Sequence, residues 1–488
     1  MRLQQLILLI FSLLLLTQCR KDEDFTTDSG AKLDFSVDTI LYDTIFTTVG
    51  SITKRFTVYN RNDLPIRIDR IELIGGQSSS FRINVDGDAG LGFNDVEILG
   101  NDSMFVFVEA TLDANNAANP LIIEDRIGFL TNGNAQEVLL LAWGQDAYFH
   151  RPTPGNFIFG IPYGIVAGQN GACENITWPN DKPHVVFGYA VVDSCSVLNI
   201  QEGTTVHFHN NSGMLVWRYA QLNVNGTVND RVRFLGDRLE PLYDDLPGQW
   251  DRIWILDGPT PSQFNHVEIK NALVGIQAET APFYLGLPTN DALILNNTNI
   301  QNCSVAGLLT RNYSVKSDNL LVANAGQSCI AMQGGGTYEF AHTTIGNYWN
   351  YEIRQTPAFY ITNLYQNALG DIEVKDITSS TFVDGIIWGS NSEEIEYDLD
   401  AGGQTDFLFN NYIIRTGQNL NSEPQFTGIN SGNNADPDWI DPSVGDYHLE
   451  ASSPAVDAGS VTYLGGTDLD GNFFCGSIFD LGCYEFCP

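Results

Sequence analysis

The sequence predicts an all-β protein in two parts: a β-sandwich over residues 33–148, then a parallel β-helix, a solenoid, over 184–420. Three observations predict it. Short strands of alternating hydrophobicity, parted by turn residues, fill the first part. In the second, a short β segment ending in asparagine returns at near-constant spacing, the signature of a repeat architecture. After the first residues, no apolar run reaches the roughly 18 residues of a membrane helix, so the body is expected to fold in water.

The elements follow in chain order. The apolar run from Leu6 to Leu16 stands behind one basic residue, Arg2. At about 11 residues it is too short to span a bilayer and suits the h-region of a signal peptide. It ends in Leu16-Thr17-Gln18-Cys19, which resembles the lipobox of bacterial lipoproteins, although Gln18 stands where that family has a small residue. The resemblance implies a signal peptide over 1–18 and a lipid-modified Cys19; the alternative is an ordinary secretory signal with an incidental cysteine. Arg20-Lys21-Asp22-Glu23-Asp24 is similar to the charged export signal of Bacteroidetes-type surface lipoproteins. That likeness implies a lipid anchor in the outer membrane with the body facing outside, and residues 19–32 as a charged tether. Stable anchoring by acyl chains takes more than one of them.

The formal net charge of −35 excludes nucleic acid as a partner, since such binding rests on Lys and Arg displacing counterions from phosphates.

Over 33–148 the strands read as "RFTVYNRNDLPIRIDRIELIGG", "FRINV", "DSMFVFVEATL", "DRIGFLTNG" and "QEVLLLAWG". Short strands at this spacing suggest an antiparallel sandwich. Their order resembles immunoglobulin-like domains of the ASPM, SPD-2 and Hydin type, with "VYNRNDLPIRI" at that family's asparagine-turn-proline strand junction. Residues 149–183, rich in Gly, Pro and Asn, are read as a connector.

The stretch "SVLNIQEGTTVHFHNNSGMLVWRYAQLNVNGTVNDRVRFLGD" resembles the first coils of right-handed parallel β-helices in bacterial surface proteins. Beyond it, "HVEIKN", "NTNIQN", "NLLVAN" and "HTTIGN" end at Asn271, Asn302, Asn324 and Asn347, spacings of 31, 22 and 23. A period near 22 fits one coil, with Ile269, Ile300, Val322 and Ile345 stacked inward and the asparagines at a recurring turn. The first interval is long because "ETAPFYLGLPTND" reads as an inserted loop. The LxxLxL spacing of leucine-rich repeats is absent. A solenoid needs its open ends covered, and "DPSVGDYHLEASSPAVDAGS", "TDLDGN" and "DLGCYEF" are similar to the choice-of-anchor Q module that ends β-helix proteins. Residues 421–488 are therefore expected as a C-terminal cap.

With Cys19 acylated, seven cysteines remain. An exported chain permits disulfides: one among Cys475, Cys483 and Cys487, another between Cys173 and Cys195. Cys303 and Cys329 suit buried free thiols.

Candidate chemistry is sparse. Asp244-Asp245 is the one aspartate doublet of the coil region, in a loop leaving the repeats. His266, Glu268 and Lys270 alternate onto one strand face, as do His207 and His209 at the i, i+2 spacing of half a metal site; solvent faces carry such mixtures too. Asp468, Asp470 and Asn472 crowd oxygen ligands as a Ca²⁺ loop does, or hold their own turn by Asx bonds. Trp217, Tyr219, Trp250, Trp254, Tyr348, Trp349, Tyr351 and Trp388 offer flat apolar faces. Trp217, Tyr219 and Trp250 are the ligand-binding candidates on the reading of an exposed sugar platform, and core on the other. Asp38-Thr39-Ile40, Asp43-Thr44-Ile45 and Asp102-Ser103-Met104 fit the D-[ST]-apolar pattern of Bacteroidetes-type O-glycosylation. No catalytic set assembles in the sequence. The expectation is a non-catalytic surface protein that binds a glycan, matrix or protein ligand, or is structural, with a polysaccharide lyase or glycoside hydrolase working along a β-helix groove as the alternative.

Overall fold

The computed structural model describes residues 24–46, 50–112, 121–280, 292–367, 370–431, 435–460, 466–473, 475 and 478–488. Cys19 and most of the inserted loop expected over 279–291 lie outside them. The described chain is all-β and, among these residues, holds no α-helix. It divides into two compact units, Met1–Asp146 and Ala147–Pro488.

The first unit is two five-stranded sheets. One orders Asp34–Phe35, Lys54–Tyr59, Ser103–Ala110, Phe81–Val85 and Asp88–Gly90; the other orders Thr39–Phe46, Asn134–Gln145, Leu121–Thr131, Ile66–Leu73 and Gly92–Ile98. Alternation decides which side chains turn inward. In Ser103–Ala110, Met104, Val106, Val108 and Ala110 are buried while Ser103, Phe105 and Glu109 face out. Inward residues of both sheets, such as Phe56, Val106, Ile68 and Leu140, share one core. Asn60, of the VYNRNDLP junction, is fully buried: its amide donates to the carbonyls of Leu64 (2.9 Å), Ile98 (3.2 Å) and Leu99 (3.0 Å). A buried amide so satisfied pins the turn to the neighbouring sheet edge.

The second unit is built on one mixed sheet of 22 strands whose long-range pairings are parallel. The register stacks like on like. Val206, Phe234, Ile269, Ile300, Val322, Ile345, Ile387 and Ile414 are successive partners. All are buried in one continuous core. Phe382, Phe409 and Phe426 form a second such row, with rings stacked at 4.3 and 5.3 Å.

Where the long strands bend, or meet end to end, residues adopt left-handed backbone, which Asn tolerates better than most. Asn271 (φ 65°), Asn302 (φ 61°) and Asn324 (φ 54°) fall one above another in the register, with Asn347 next in line. A second corner row runs through His266, Asn297, Asn319, His342, Asp384 and Asn411, all left-handed.

Three expectations are corrected. Residues 149–183 are more than a connector: Tyr148–His150, Ile161–Ala167 and Asn175–Trp178 pair in parallel with His184–Val186, Tyr189–Val192 and Val197–Ile200. His150 and His184, joined ring nitrogen to ring nitrogen at 2.9 Å, lie side by side on Trp178 at 4.2 and 4.5 Å, and burial drives their pKa values down to about 3 and about 4.

Of the segment expected as a cap over 421–488, the strand Phe426–Asn430 ends the stack, while later residues lie along its side. Trp439, Tyr447, Leu449, Ala455, Leu469 and Leu481 pack sideways on Leu321, Ala323, Ile386, Trp388 and Ile413. These are the outward alternates of strands whose other face fills the main core. The end is covered more locally. On the last strand, Phe426–Asn430, the side-chain amide of Asn421 bonds both backbone groups of Ile429, donating to its carbonyl at 2.7 Å and accepting its N–H at 2.9 Å.

His266 does not share a face with Glu268 and Lys270. Its left-handed backbone (φ 48°) puts it at a corner, and burial, then Arg231, lower its pKa.

Cys173–Cys195 and Cys475–Cys487 are bridged, while Cys303, Cys329 and Cys483 are free and buried. Burial raises the pKa of the Cys303 thiol to about 12, so it packs as a small apolar group.

Candidate functional site

The first corner row carries a cleft. Asn271 donates its side-chain amide to the Asp244 carbonyl (2.9 Å), and Asn302 donates to the Asp245 carbonyl and to Asn271 Oδ1 (2.8 Å). The asparagines thus hold down the loop that contains the Asp244-Asp245 doublet. Lys270 Nζ meets Asp245 Oδ1 at 3.0 Å, and the Tyr351 hydroxyl donates to the Asp245 carbonyl at 2.6 Å.

Opposite this loop, the chain after Asn347 presents Tyr348, Trp349 and Tyr351. Asn324 Oδ1 accepts the Tyr348 N–H (3.1 Å) and Asn347 Oδ1 the Trp349 N–H (3.3 Å). Trp349 lies against Gly326, where an added Cβ would meet the Ser304 carbonyl at 2.2 Å and press on the indole Cζ2 at 3.1 Å, so the close backbone approach requires glycine and the ring packs on it. The far end of this segment is fixed by Arg354, which forms a buried pair with Glu394 and donates to the Asn347 carbonyl at 3.2 Å.

The third wall is the C-terminal segment, where Asp441 accepts from the N–H (3.0 Å) and hydroxyl (2.5 Å) of Ser443. Together Asp245, Lys270, Gln301, Asn302, Asn324, Trp349, Tyr351, Asp441 and Gly445 line a cleft of about 280 Å³. The Trp349 and Tyr351 rings stand 5.0 Å apart at 49°. Among the described residues the Gln301 amide makes no hydrogen bond, and the Trp349 indole N–H is buried without a partner. Flat aromatic faces beside the Gln301 amide and a carboxylate–lysine pair can stack on and hydrogen-bond a polyhydroxylated ligand.

A wider groove of about 760 Å³ is lined by Gly160, Ile161, Pro162, Phe187, His209, Asp251 and Arg252. Asp251 binds the Tyr189 hydroxyl and Arg252 Nε (2.8 Å), and Arg252 continues to Gln277 and so to Glu279 (2.9 Å). These charges are spent on one another.

The structure scatters the other residues singled out in the sequence. Trp250 is core, 1% exposed and stacked on Phe208 at 4.4 Å, its indole N–H donating to the Lys270 carbonyl. It corrects the expected platform of Trp217, Tyr219 and Trp250. Trp217 packs at the edge of a small cluster with Leu215, Leu256 and Trp254, and Tyr219 stands exposed. His207 is buried on the Gly236 carbonyl (2.7 Å), and His209 shares a hydrogen bond with Asp237 (2.6 Å), so the two imidazoles do not converge. Glu268 pairs with Arg233 at 3.3 Å.

The expected Ca²⁺ loop does not fit a cation. Asp468 accepts the N–H groups of Asp470 (3.0 Å), Asn472 (2.7 Å) and Glu485 (3.1 Å), as well as the Asn472 side-chain amide (3.1 Å). Asp470 is taken by Arg231 (3.2 Å) and His448 (3.0 Å). Donors face these oxygens where a metal would have to sit, and among the described residues no cluster of His, Cys, Asp or Glu forms a metal site.

Sequence reasoning missed Gln301, Asn350 and Asp441 as neighbours. Gln301 precedes a repeat asparagine, which was a usable signal; nothing local marks Asp441.

No protein-family model matches the chain, and no curated protein matches it. Solved structures align with it only at low similarity. A family 123 glycoside hydrolase from Clostridium perfringens aligns at 10% identity over 24% of this chain and 26% of its own, with a TM-score of 0.17. An ASH/PapD-like domain of human CEP192 aligns at 8% identity over 27% and 94%, at 0.17. The catalytic domain of a GH87 alpha-1,3-glucanase in complex with nigerose aligns at 10% identity over 78% and 92%, at 0.15. The chain spans about a quarter of the first of these. None assigns an activity to it.

Proposed function

We propose that this chain is a lipid-anchored outer-membrane protein of the Bacteroidetes type that displays a right-handed parallel β-helix on the cell surface and binds glycans without cleaving them. Cys19 carries the lipid, the first unit is an immunoglobulin-like sandwich of the ASPM, SPD-2 and Hydin type, and the C-terminal segment is a choice-of-anchor Q-like module. The stacked corner asparagines and the inward rows of like apolar residues support the β-helix. Buried Asn60 supports the kinship of the sandwich.

The observation that carries the binding function is the cleft: two aromatic faces, the Gln301 amide and an Asp–Lys pair, in a volume suited to one or two sugar rings. Its carboxylates are engaged, Asp245 with Lys270 and Asp441 with Ser443, which favours holding a ligand over transferring protons to it.

A microarray of oligosaccharides probed with the full chain tests this. Retention of a glycan that Trp349→Ala abolishes is the expected result; no retained glycan sinks the reading. Release of reducing ends from any retained glycan would instead select the second reading, a lyase or hydrolase. Metabolic labelling with palmitate tests the anchor, and Cys19→Ser should remove the label.

A further inference from the structure

The floor of the cleft belongs to one outward row of the parallel sheet. Lys270 and Gln301 are register partners in it and both line the cleft. The row continues to Ala323 and Gly346, where Tyr447 of the C-terminal segment is packed directly on Gly346. Lys270 and Gln301 differ in what they still offer a ligand. Lys270 is engaged by Asp245 at 3.0 Å, whereas the half-buried Gln301 carboxamide makes no hydrogen bond among the described residues. A carboxamide brings both an acceptor and donors, and leaving them unpaired away from water is costly.

That carboxamide lies at the foot of the C-terminal turn. A Cβ placed on Gly445 would stand 3.0 Å from Gln301 Oε1 and 4.0 Å from its Nε2, and the φ of 82° favours glycine there on backbone grounds as well. The same turn sets Pro442 and Val444 on the cleft, and Val444 is 77% exposed. An amide and an apolar surface thus meet at one place, while Trp349 and Tyr351 supply aromatic faces. Charge narrows the choice of ligand. Asp245 and Asp441 both line the cleft, Lys270 is the only basic residue that does, and the chain carries a net charge of −35. A carboxylated sugar would enter against that field.

Resting on the glycan-binding function proposed above, we infer that the cleft selects an uncharged N-acetylated amino sugar. An acetamido group carries an N–H donor, a carbonyl acceptor and a methyl group. Gln301 Oε1 accepts from the first and Nε2 donates to the second, with the methyl against Pro442 and Val444 and the sugar face on the aromatic rings. A plain hexose presents a hydroxyl in that place and leaves Val444 bare. A deacetylated amine loses both the acceptor and the methyl.

The test applies the full chain to an array of oligosaccharides in matched N-acetylated, N-deacetylated, plain hexose and uronate forms. The N-acetylated form should be retained about tenfold more strongly than the hexose. Gln301→Leu should remove that preference and leave hexose retention at the parental level, which shows that the cleft is still formed. Val444→Ser should lower retention of the N-acetylated form about threefold. Val444 stands on an exposed turn, so this second variant tests the same selection without touching the floor. Equal retention of hexose and N-acetylated forms by the parent overturns the selection and leaves the cleft as a glycan site. Strongest retention of uronates or free amines does the same, as does a preference unchanged in both variants. A parent that retains no glycan, or whose retention survives Trp349→Ala, overturns the glycan site itself and the selection with it.

Discussion

The two corner rows of the parallel sheet solve one backbone problem with different chemistry. Asn271, Asn302 and Asn324 form an all-asparagine row, whereas His266, Asn297, Asn319, His342, Asp384 and Asn411 are mixed, though both rows adopt the same left-handed turn. The difference lies in what covers them. Over Asn271 and Asn302 lie backbone carbonyls of Asp244 and Asp245, so the corner must donate, and an amide does. Over Asp384 lie the Ser460 N–H (2.6 Å) and hydroxyl (2.8 Å) and the Asn411 amide (2.7 Å), so the corner must accept, and a carboxylate does so more strongly. Backbone geometry selects the class of residue, and its roof selects the member.

Isosteric exchange should break this contrast. Asp384→Asn sets an NH₂ group against buried donors and should cost about 3 kcal/mol, read from the urea unfolding midpoint. A loss under about 1 kcal/mol would show that the roof does not choose the residue. Asn302→Asp turns a carboxylate onto the Asp245 carbonyl and should cost about 2 kcal/mol, while also weakening sugar retention because the loop bearing Asp245 lifts. Asn302→Gly keeps the left-handed backbone at no steric cost and loses only the amide bonds, about 1 kcal/mol.

A smaller effect is readable by pH. His448 joins Asp446 (2.7 Å) and Asp470 (3.0 Å), and the Asp470 hydrogen bond is the main cause that raises its pKa to about 9. A raised histidine contributes stability that is whole below the unfolded value of about 6.5 and is lost as pH climbs through the folded value. The pKa of Asp470 is lowered, chiefly by His448, so its share is present above the unfolded carboxylate value and lost as pH falls through the folded one. The unfolding midpoint should therefore drop between about pH 6.5 and about pH 10, and His448→Gln should flatten that slope. An unchanged slope in the variant would mean that the bridge does not hold the C-terminal segment.

The inward row was legible in the sequence because Ile269, Ile300, Val322 and Ile345 recur beside asparagines that a left-handed turn favours. The mixed row was not, since His342 and Asp384 look like ordinary polar residues until their roof is known. The sideways seat of the C-terminal segment had a signal that alternation obscured. "NLLVAN" and "GIIWG" are apolar at consecutive positions, as strands covered on both faces are. Leu320 and Val322 fill one core and Leu321 and Ala323 the other. For the cleft, Lys270 and Asn302 could be read from the repeat. Trp349 and Tyr351 could not be assigned to surface or core, because the Gly326 gap and the Arg354–Glu394 anchor that place them lie far apart in sequence.

The grip of Asn421 on Ile429 bears on how copies of this protein behave when crowded. A parallel stack whose last strand left its N–H and C=O groups bare would be a template for the next molecule, and many such molecules would zip end to end into fibres. At Ile429 one side-chain amide occupies both groups, so a neighbour could pair there only by displacing Asn421.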